Sequence, residues 1–176
     1  MAGHSKWKQI KNKKATTDAQ KSRIFSKVIR LITVEAKNAN GNMEAPGLRA
    51  AIEKARAANM PSDNIERAIK KAKDAGGEAV DVVTYETYGP GGCAIVIEGL
   101  TSNRNKTAAE IRHILSELGF SLAGSGAATW AFEKAAGGWV PKSTVALSDT
   151  DTEVLGTLVE QLEAHEDIQD VYTNVE

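Results

Sequence analysis

The residues of this sequence with the clearest chemistry lie in its first 14 positions, where five lysines surround a single tryptophan. Lysine ammonium groups make salt-sensitive contacts with nucleic-acid phosphates, and an indole ring can stack on a base. This lysine-rich segment, the arm, is therefore a candidate nucleic-acid-binding element. Its candidate contact residues are His4, Ser5, Lys6, Trp7, Lys8, Lys11, Lys13 and Lys14.

Trp7 fits two roles, and the sequence leaves both open. Between two lysines, its ring could stack on a base or insert into a groove. An indole also has a large apolar surface to bury, so Trp7 could instead fold back onto the helices that follow the arm.

Other reactive side chains do not form a catalytic constellation. The three histidines are far apart and have no metal-ligand spacing, and His113 is expected on a solvated helix face. Cys93 opens a predicted strand of apolar residues, which favours a buried structural thiol over a nucleophile. The glycine-rich loop 89–92 lacks the Lys-Ser/Thr pair and the helix of a Walker loop. We therefore expect no enzymatic activity, no metal and no cofactor.

Trp130 and Phe132 are two aromatic residues at i, i+2 spacing in a segment predicted to be a strand. Such pairs form base-stacking platforms in RNA-recognition domains. The consensus pattern of those domains is absent here and the surrounding half of the chain is acidic, so core packing is favoured for both rings.

Charge divides the chain into two halves of opposite sign. Residues 1–73 contain 17 basic and 6 acidic side chains, whereas residues 74–176 contain 5 and 17. The resulting charges of +11 and −12 indicate that the first half meets a polyanion and the second does not. The last predicted helix follows this pattern, because Glu153, Glu160 and Glu163 fall on its outward, solvated face.

With 176 residues the chain can form two small domains, which we place at 1–78 and 79–176. The single cysteine excludes a disulfide framework. No apolar run approaches the roughly 18 residues of a membrane span, and the basic start lacks the apolar stretch of a secretory signal. We expect a cytoplasmic protein.

Residues 1–78 are predicted to form the arm and a three-helix domain. Residues 17–39 carry apolar side chains at the spacing of an amphipathic helix, a second helix follows the loop 38–47, and a third follows Pro61. The polar faces of the first and third helices extend the candidate interface through Arg23, Lys27, Arg30, Arg67, Lys70 and Lys71.

Residues 79–176 alternate between strand and helix patterns. Strands are predicted at 82–88, 93–100, 127–132, 139–147 and 168–175, with helices at 106–118 and from Thr150 onward. Apart from the first strand, the order is βαββαβ, that of ferredoxin-like domains. The predicted fold class is therefore α+β, with a three-helix domain followed by a ferredoxin-like domain that has an extra hairpin strand.

Several long segments together resemble one known family, and they cover nearly the whole chain. They are MAGHSKW, KNKKATTDAQKSRIFSKVIRLITVEAK, NMPSDNIERAIKKA, YETYGPGG, NRNKTAAEIRHILSELG and the closing DVYTNVE. These motifs are similar to those of the YebC family. The resemblance implies a cytoplasmic, non-enzymatic regulator of transcription that binds DNA, while other relatives act as translation factors at the ribosome. It adds residues 60–64 and 103–106, with the cations Arg104 and Lys106, to the candidate interface.

The resemblance also implies a feature that this sequence lacks. Members of the YebC family usually carry a further α/β lobe between the strand ending at 132–134 and the strand starting near Val140. Only residues 135–138 bridge these strands here. We expect the remaining strands to close around their own core and the basic half to keep its contact with nucleic acid.

Three functions remain open on these grounds. One is a DNA-binding transcriptional regulator, although the turn at 59–62 gives only a weak helix-turn-helix pattern, with Asn64, Arg67 and Lys71 available for bases. Another is a translation factor that places the arm among ribosomal RNA phosphates. The third is a protein-interaction adaptor whose acidic half binds a basic partner. The expected partners are DNA or the ribosome and its RNA, with no membrane, and a monomer is favoured.

Overall fold

A computed structural model of the protein describes residues 7, 10, 17–74, 79–136 and 138–176. The chain divides into two compact units. Residues 15–80 form the helical unit, and residues 81–176 form the sheet unit together with Trp7 and Ile10 of the arm. The predicted division at 1–78 and 79–176 differs from this grouping, since Trp7 is buried in the core of the sheet unit and the partly buried Ile10 packs against that core.

The helical unit contains three helices, as predicted: α1 (Asp18–Asn38), α2 (Pro46–Ala57) and α3 (Ser62–Asp74). Thr17 and Gln20 form a capping box at the start of α1, and Pro46 occupies the first turn of α2. Helix α1 packs against both α2 and α3. The shared core includes Val28, Ile32, Leu48, Ile52, Ile65 and Ile69.

The sheet unit contains helices α4 (Arg104–Glu117) and α5 (Asp149–Ala164) and six strands. The strands are β1 (Asp81–Tyr88), β2 (Ala94–Thr101), β3 (Leu122–Ala123), β4 (Phe132–Ala135), β5 (Gly138–Pro141) and β6 (Ile168–Thr173). Four of them form an antiparallel sheet in the order β3-β1-β2-β6, while β4 and β5 form a separate hairpin. The predicted α+β class is confirmed.

The strand assignments differ from the predicted ones in two ways. Strand β1, which the βαββαβ pattern leaves out as an extra strand, is an interior strand between β3 and β2. The predicted strand at 127–132 is instead a turn followed by a short 3-10 helix (Thr129–Ala131), because the backbone N–H groups of Ala128 and Thr129 bind the Glu86 carboxylate and not a neighbouring strand. The strand predicted at 139–147 ends at Pro141, and beyond it Val145 forms one isolated bridge with Val175.

Strand β2 lies at the centre of the unit and is buried on both faces. Ile95 and Ile97 point toward the core formed with α4 and α5, whereas Ala94 and Val96 point toward Ala128, Ala131 and Phe132 on the other face. Residues on a strand alternate between faces, so a continuous apolar run is what a doubly covered strand requires. Among the described residues, no helix is long and apolar enough to cross a membrane.

Candidate nucleic-acid interface

Helix α3 presents the most exposed group of candidate cations, which we call the α3 triad: Arg67, Lys70 and Lys71. Their spacing places all three on one side of the helix, opposite the buried stripe of Ile65, Ala68, Ile69 and Ala72. The Arg67 guanidinium donates to Asn64 Oδ1 at 3.0 Å, which orients it along the helix surface. The three predicted cations of α3 are thus brought together on a solvent-facing surface.

Helix α1 carries the second group, Arg23, Lys27 and Arg30, at i, i+4, i+7 spacing on one side of the helix. Arg23 is exposed, whereas Lys27 and Arg30 are partly buried.

The acidic residues of α1 lie near its ends. Asp18 is in the first turn, and the Glu35 carboxylate lies against the first turn of α2, where a Cβ on Gly47 would overlap it. Both carboxylates are therefore near helix N-termini, where negative charge is stabilising, and residues 19–34 contain no acidic side chain.

The weak helix-turn-helix expectation gains no support from the packing of the helical unit. Helices α2 and α3 each pack mainly on α1 and only slightly on each other. Asn64 and Arg67, two of the three side chains proposed to read bases, are hydrogen-bonded to one another. The surface of α3 is accordingly better suited to phosphates than to base edges.

Arg104 and Lys106 lie in the sheet unit, in the first turn of α4. The Arg104 Nε is 3.0 Å from Asp81 Oδ2, and the Lys106 Nζ is 3.9 Å from Glu110 Oε1. Residues 81–176 contain 15 acidic and 5 basic side chains, so these two cations lie within a strongly acidic unit. Their ion pairs reduce the charge that they could offer to phosphate.

Trp7 lies in neither of the environments that the sequence leaves open. It is 4% exposed and belongs to the core of the sheet unit, together with Cys93, Ile95, Leu155 and Leu158. A base cannot reach a ring in that position, and the surrounding core is not that of the helical bundle. The other proposed contact residues of the arm lie outside the described residues: His4, Ser5, Lys6, Lys8, Lys11, Lys13 and Lys14.

Trp130 and Phe132 do not form a stacking platform. Phe132 is 3% exposed and packs on the second face of β2, as expected for a core residue. Trp130, in the 3-10 helix, is 59% exposed, contrary to the expected core packing. Its Nε1 donates to the Tyr88 hydroxyl at 2.7 Å, which fixes the orientation of the exposed indole.

A polar cluster that sequence patterns do not reveal lies where α4 meets the turn before β6. The His165 Nε2 is 2.7 Å from Glu110 Oε2, and the Asp167 N–H donates to His165 Nδ1 at 3.1 Å. The Thr107 hydroxyl donates to the buried Asp167 carboxylate at 2.7 Å. Glu110 and Thr107 are more than 50 residues from their partners His165 and Asp167, so no local spacing signals these contacts.

The ligand atoms of Glu110, His165 and Asp167 lie within 4.8 Å of one another, which is close enough for a metal ion. The hydrogen bonds argue against that use. Because the Asp167 N–H donates to Nδ1, the proton of a neutral His165 is on Nε2, facing Glu110. A metal ion on Nε2 would move this proton to Nδ1, where it would face the Asp167 N–H and break that hydrogen bond. The cluster is better explained as a structural link between α4 and β6.

The predicted burial of Cys93 and the predicted exposure of His113 and the α5 carboxylates are confirmed. Cys93 is fully buried, and burial raises the pKa of its thiol to about 11, so the thiolate needed for nucleophilic chemistry is disfavoured. His113 is exposed beside Glu117, at 3.2 Å. The predicted outward carboxylates Glu153, Glu160 and Glu163 are exposed on α5.

Fold and charge together define a class of protein: a two-unit α+β chain with a cationic three-helix unit and an acidic sheet unit. Known domains match both units. The TACO1/YebC protein N-terminal domain matches residues 5–75, and the TACO1/YebC second and third domain matches residues 80–137 and 133–175. The chain belongs to the TACO1/YebC family, which confirms the resemblance. The two segments of the second match meet at the β4–β5 hairpin, where the resemblance places the additional lobe.

Similar proteins agree with this assignment. A "Probable transcriptional regulatory protein" of Chlorobaculum parvum is 45% identical over 169 residues, covering 95% of this chain and 67% of its own length. Another, from a Sulfurihydrogenibium species, is 55% identical over 135 residues, covering 76% of this chain and 54% of its own length. The chain thus spans between about half and two thirds of these curated relatives. The crystal structure of the conserved hypothetical protein Aq1575 from Aquifex aeolicus is 32% identical with a TM-score of 0.78, covering 90% of this chain and 91% of the other.

Proposed function

We propose that this protein is a non-enzymatic regulator of gene expression that binds duplex DNA through the exposed cations of its helical unit. The observation that carries this proposal is the α3 triad, because its three cations are exposed on one face of a helix whose opposite face is buried. The names of the relatives, probable transcriptional regulatory proteins, support the same role. We further propose that it acts in the cytoplasm as a monomer, without a cofactor or a membrane partner.

The expected mode of binding is contact with phosphates and not the reading of a base sequence. Lysine is a flexible point charge that can meet a phosphate from many directions. The Asn64 and Arg67 side chains, which could read base edges, already bond to each other. Binding of this kind releases counterions, so the affinity should fall steeply with salt and vary little between DNA sequences.

The test is a pair of triple variants that remove equal charge, measured by anisotropy of a labelled duplex at several salt concentrations. One variant changes the α3 triad to alanine. The control changes Arg49, Lys54 and Arg56 of α2 to alanine. Two of these cations already have acidic partners: Arg56 lies 2.9 Å from Glu53, and Arg49 lies 4.0 Å from Glu44. The α3 variant should reduce the slope of log K against log salt by roughly two to three units, and the control by less than roughly one unit.

Two results would contradict this proposal, one for the binding surface and one for the ligand. Equal slopes for both variants would show that the α3 triad is not in the interface. Sedimentation with ribosomes distinguishes ribosomal RNA from duplex DNA as the ligand. Association that persists against excess duplex DNA and is abolished in the α3 variant would assign ribosomal RNA as the ligand.

A further inference from the structure

The two described residues of the arm, Trp7 and Ile10, are both built into the sheet unit. Both have helical backbone conformation, and both side chains contact the core of the sheet unit. Trp7 is 4% exposed within the apolar core, and Ile10 packs against the edge of the same core. The two described residues of the arm therefore dock on the sheet unit through their apolar side chains.

The sheet unit has a matching feature at Gly156, in the middle of α5. Glycine within a helix is unfavourable compared with alanine, so its presence there calls for a local reason. A Cβ at Gly156 would lie 3.1 Å from Ile10 Cγ2 and 3.4 Å from Ile10 Cδ1, closer than most such contacts. The missing side chain gives Ile10 the space to approach the helix.

Charge favours the same docking. Residues 1–16 contain five lysines and no acidic side chain, and α5 contains five acidic side chains and no basic one. An apolar contact between these segments therefore joins a cationic segment to an anionic helix, and the attraction adds to the burial of Trp7.

We propose that Trp7 and Ile10 are a permanent anchor on the sheet unit, so that both side chains stay docked there when nucleic acid binds. Whether Trp7 stays docked or is released depends on whether its packing in the core is stronger than its stacking on a base. Removing a large aromatic side chain from a packed core is among the most costly changes a fold can undergo, whereas stacking on a single base returns less. Trp7 thus stays in the core when nucleic acid binds, and the arm contributes through its charges. This inference rests on the proposed function.

Fluorine NMR of the full chain labelled with 5-fluorotryptophan tests the anchor. The three tryptophans give three signals, which Trp7→Phe, Trp130→Phe and Trp139→Phe assign by the disappearance of one signal each. The measured quantity is the shift of each signal between H2O and D2O, which reports solvent exposure. Trp130, at 59% exposed, is the internal standard for an exposed ring. The spectra are compared without ligand and with saturating duplex DNA, whose binding is followed separately by anisotropy.

The expected result is a negligible solvent shift for Trp7 in both states, against a large shift for Trp130. A Trp7 signal that gains the shift of Trp130 on binding DNA would overturn the proposal, since it would show release of the arm. If the duplex does not bind at all, the proposed function fails, while the free protein still tests the anchor: a shielded Trp7 supports it and an exposed Trp7 overturns it.

A second pair of variants tests whether Gly156 holds the arm. Gly156→Val should displace Ile10 and give Trp7 a solvent shift closer to that of Trp130. Thr157→Val introduces the same side chain at the next position, which is exposed, and should leave the Trp7 signal unchanged. An unchanged Trp7 signal in both variants would contradict the anchoring role of Gly156.

Discussion

At the residue scale, the Glu86 carboxylate binds three backbone N–H groups of the loop that precedes β4. Glu86 is 6% exposed, and it accepts hydrogen bonds from the backbone N–H groups of Gly126, Ala128 and Thr129 at 2.7–2.9 Å. Burial alone would raise the pKa of this carboxyl, but the N–H donors outweigh it and the pKa lies below its usual value. One side chain of β1 thus fixes the loop that carries the exposed Trp130.

We expect Glu86→Gln to reduce the free energy of unfolding at neutral pH by ~1–3 kcal/mol, because a buried charge-assisted acceptor is removed. The pKa of Glu86 is lower in the folded than in the unfolded chain. Its charge therefore stabilises the fold above the unfolded pKa of about 4.3, and this contribution disappears as the pH falls through the folded pKa. Urea unfolding at neutral pH and in the acid range should show the difference between wild type and variant shrinking in acid.

Glu133→Gln is the matched control for this prediction. It makes the same chemical change at an exposed position on β4. It should change the stability by less than roughly 0.5 kcal/mol. Equal effects of the two substitutions would show that the N–H donors around Glu86 contribute nothing specific.

At the element scale, what the sequence predicted well was local and periodic. The helices follow from apolar spacing and capping residues, and in α3 the apolar residues at helical spacing, Ile65, Ala68, Ile69 and Ala72, are all buried. Strand β3 has two residues, too few for an alternating pattern. The segment 127–132 has strand-like composition, yet its N–H groups bind a carboxylate some 40 residues away, a partner that no local pattern contains. Long-range partners therefore set the limit of the fold prediction.

The same limit applies to the candidate site. Helical periodicity predicted which cations of α1 and α3 share a face, because that depends on spacing alone. The burial of Trp7 could not be predicted in this way, since its neighbours come from strand and helix residues more than 80 positions later. The Glu110, His165 and Asp167 cluster was missed for the same reason.

Gly99 of β2 offers a test of how closely this strand approaches the backbone that precedes β6. It lies at an irregularity in the pairing of β2 with β6, and a Cβ there would be 2.6 Å from the Asp167 carbonyl oxygen. Backbone cannot move aside as a flexible side chain can, so we expect Gly99→Ala to lower the free energy of unfolding by ~1–3 kcal/mol. Gly124→Ala is the control, because its Cβ would meet nothing within 4 Å. Comparable urea midpoints of unfolding for the two variants would contradict the close approach of Gly99 to the Asp167 carbonyl oxygen.

At the scale of the whole molecule, the near-neutral total charge is the sum of a cationic part and an acidic part. The helical unit and the arm hold the positive charge, and the sheet unit is acidic. Trp7 joins the arm to the acidic unit. Removing such a ring from a core costs ~3–5 kcal/mol, while stacking on one base returns ~1–3 kcal/mol, so burial outweighs stacking. The contribution of the arm to binding is then expected to be electrostatic.

That expectation leads to a prediction for the lysines of the arm. Changing Lys11, Lys13 and Lys14 together to alanine should weaken DNA binding and reduce the salt slope by roughly three units, about one for each lysine that no longer neutralises a phosphate. The comparison variant changes Arg104, Lys106 and Arg112 of α4, which removes equal charge from the acidic unit. Its slope should change by less than roughly one unit, because Arg104 and Lys106 already pair with Asp81 and Glu110. A slope that the arm variant leaves unchanged would remove the arm from the interface and leave the cations of α1 and α3 as the binding surface.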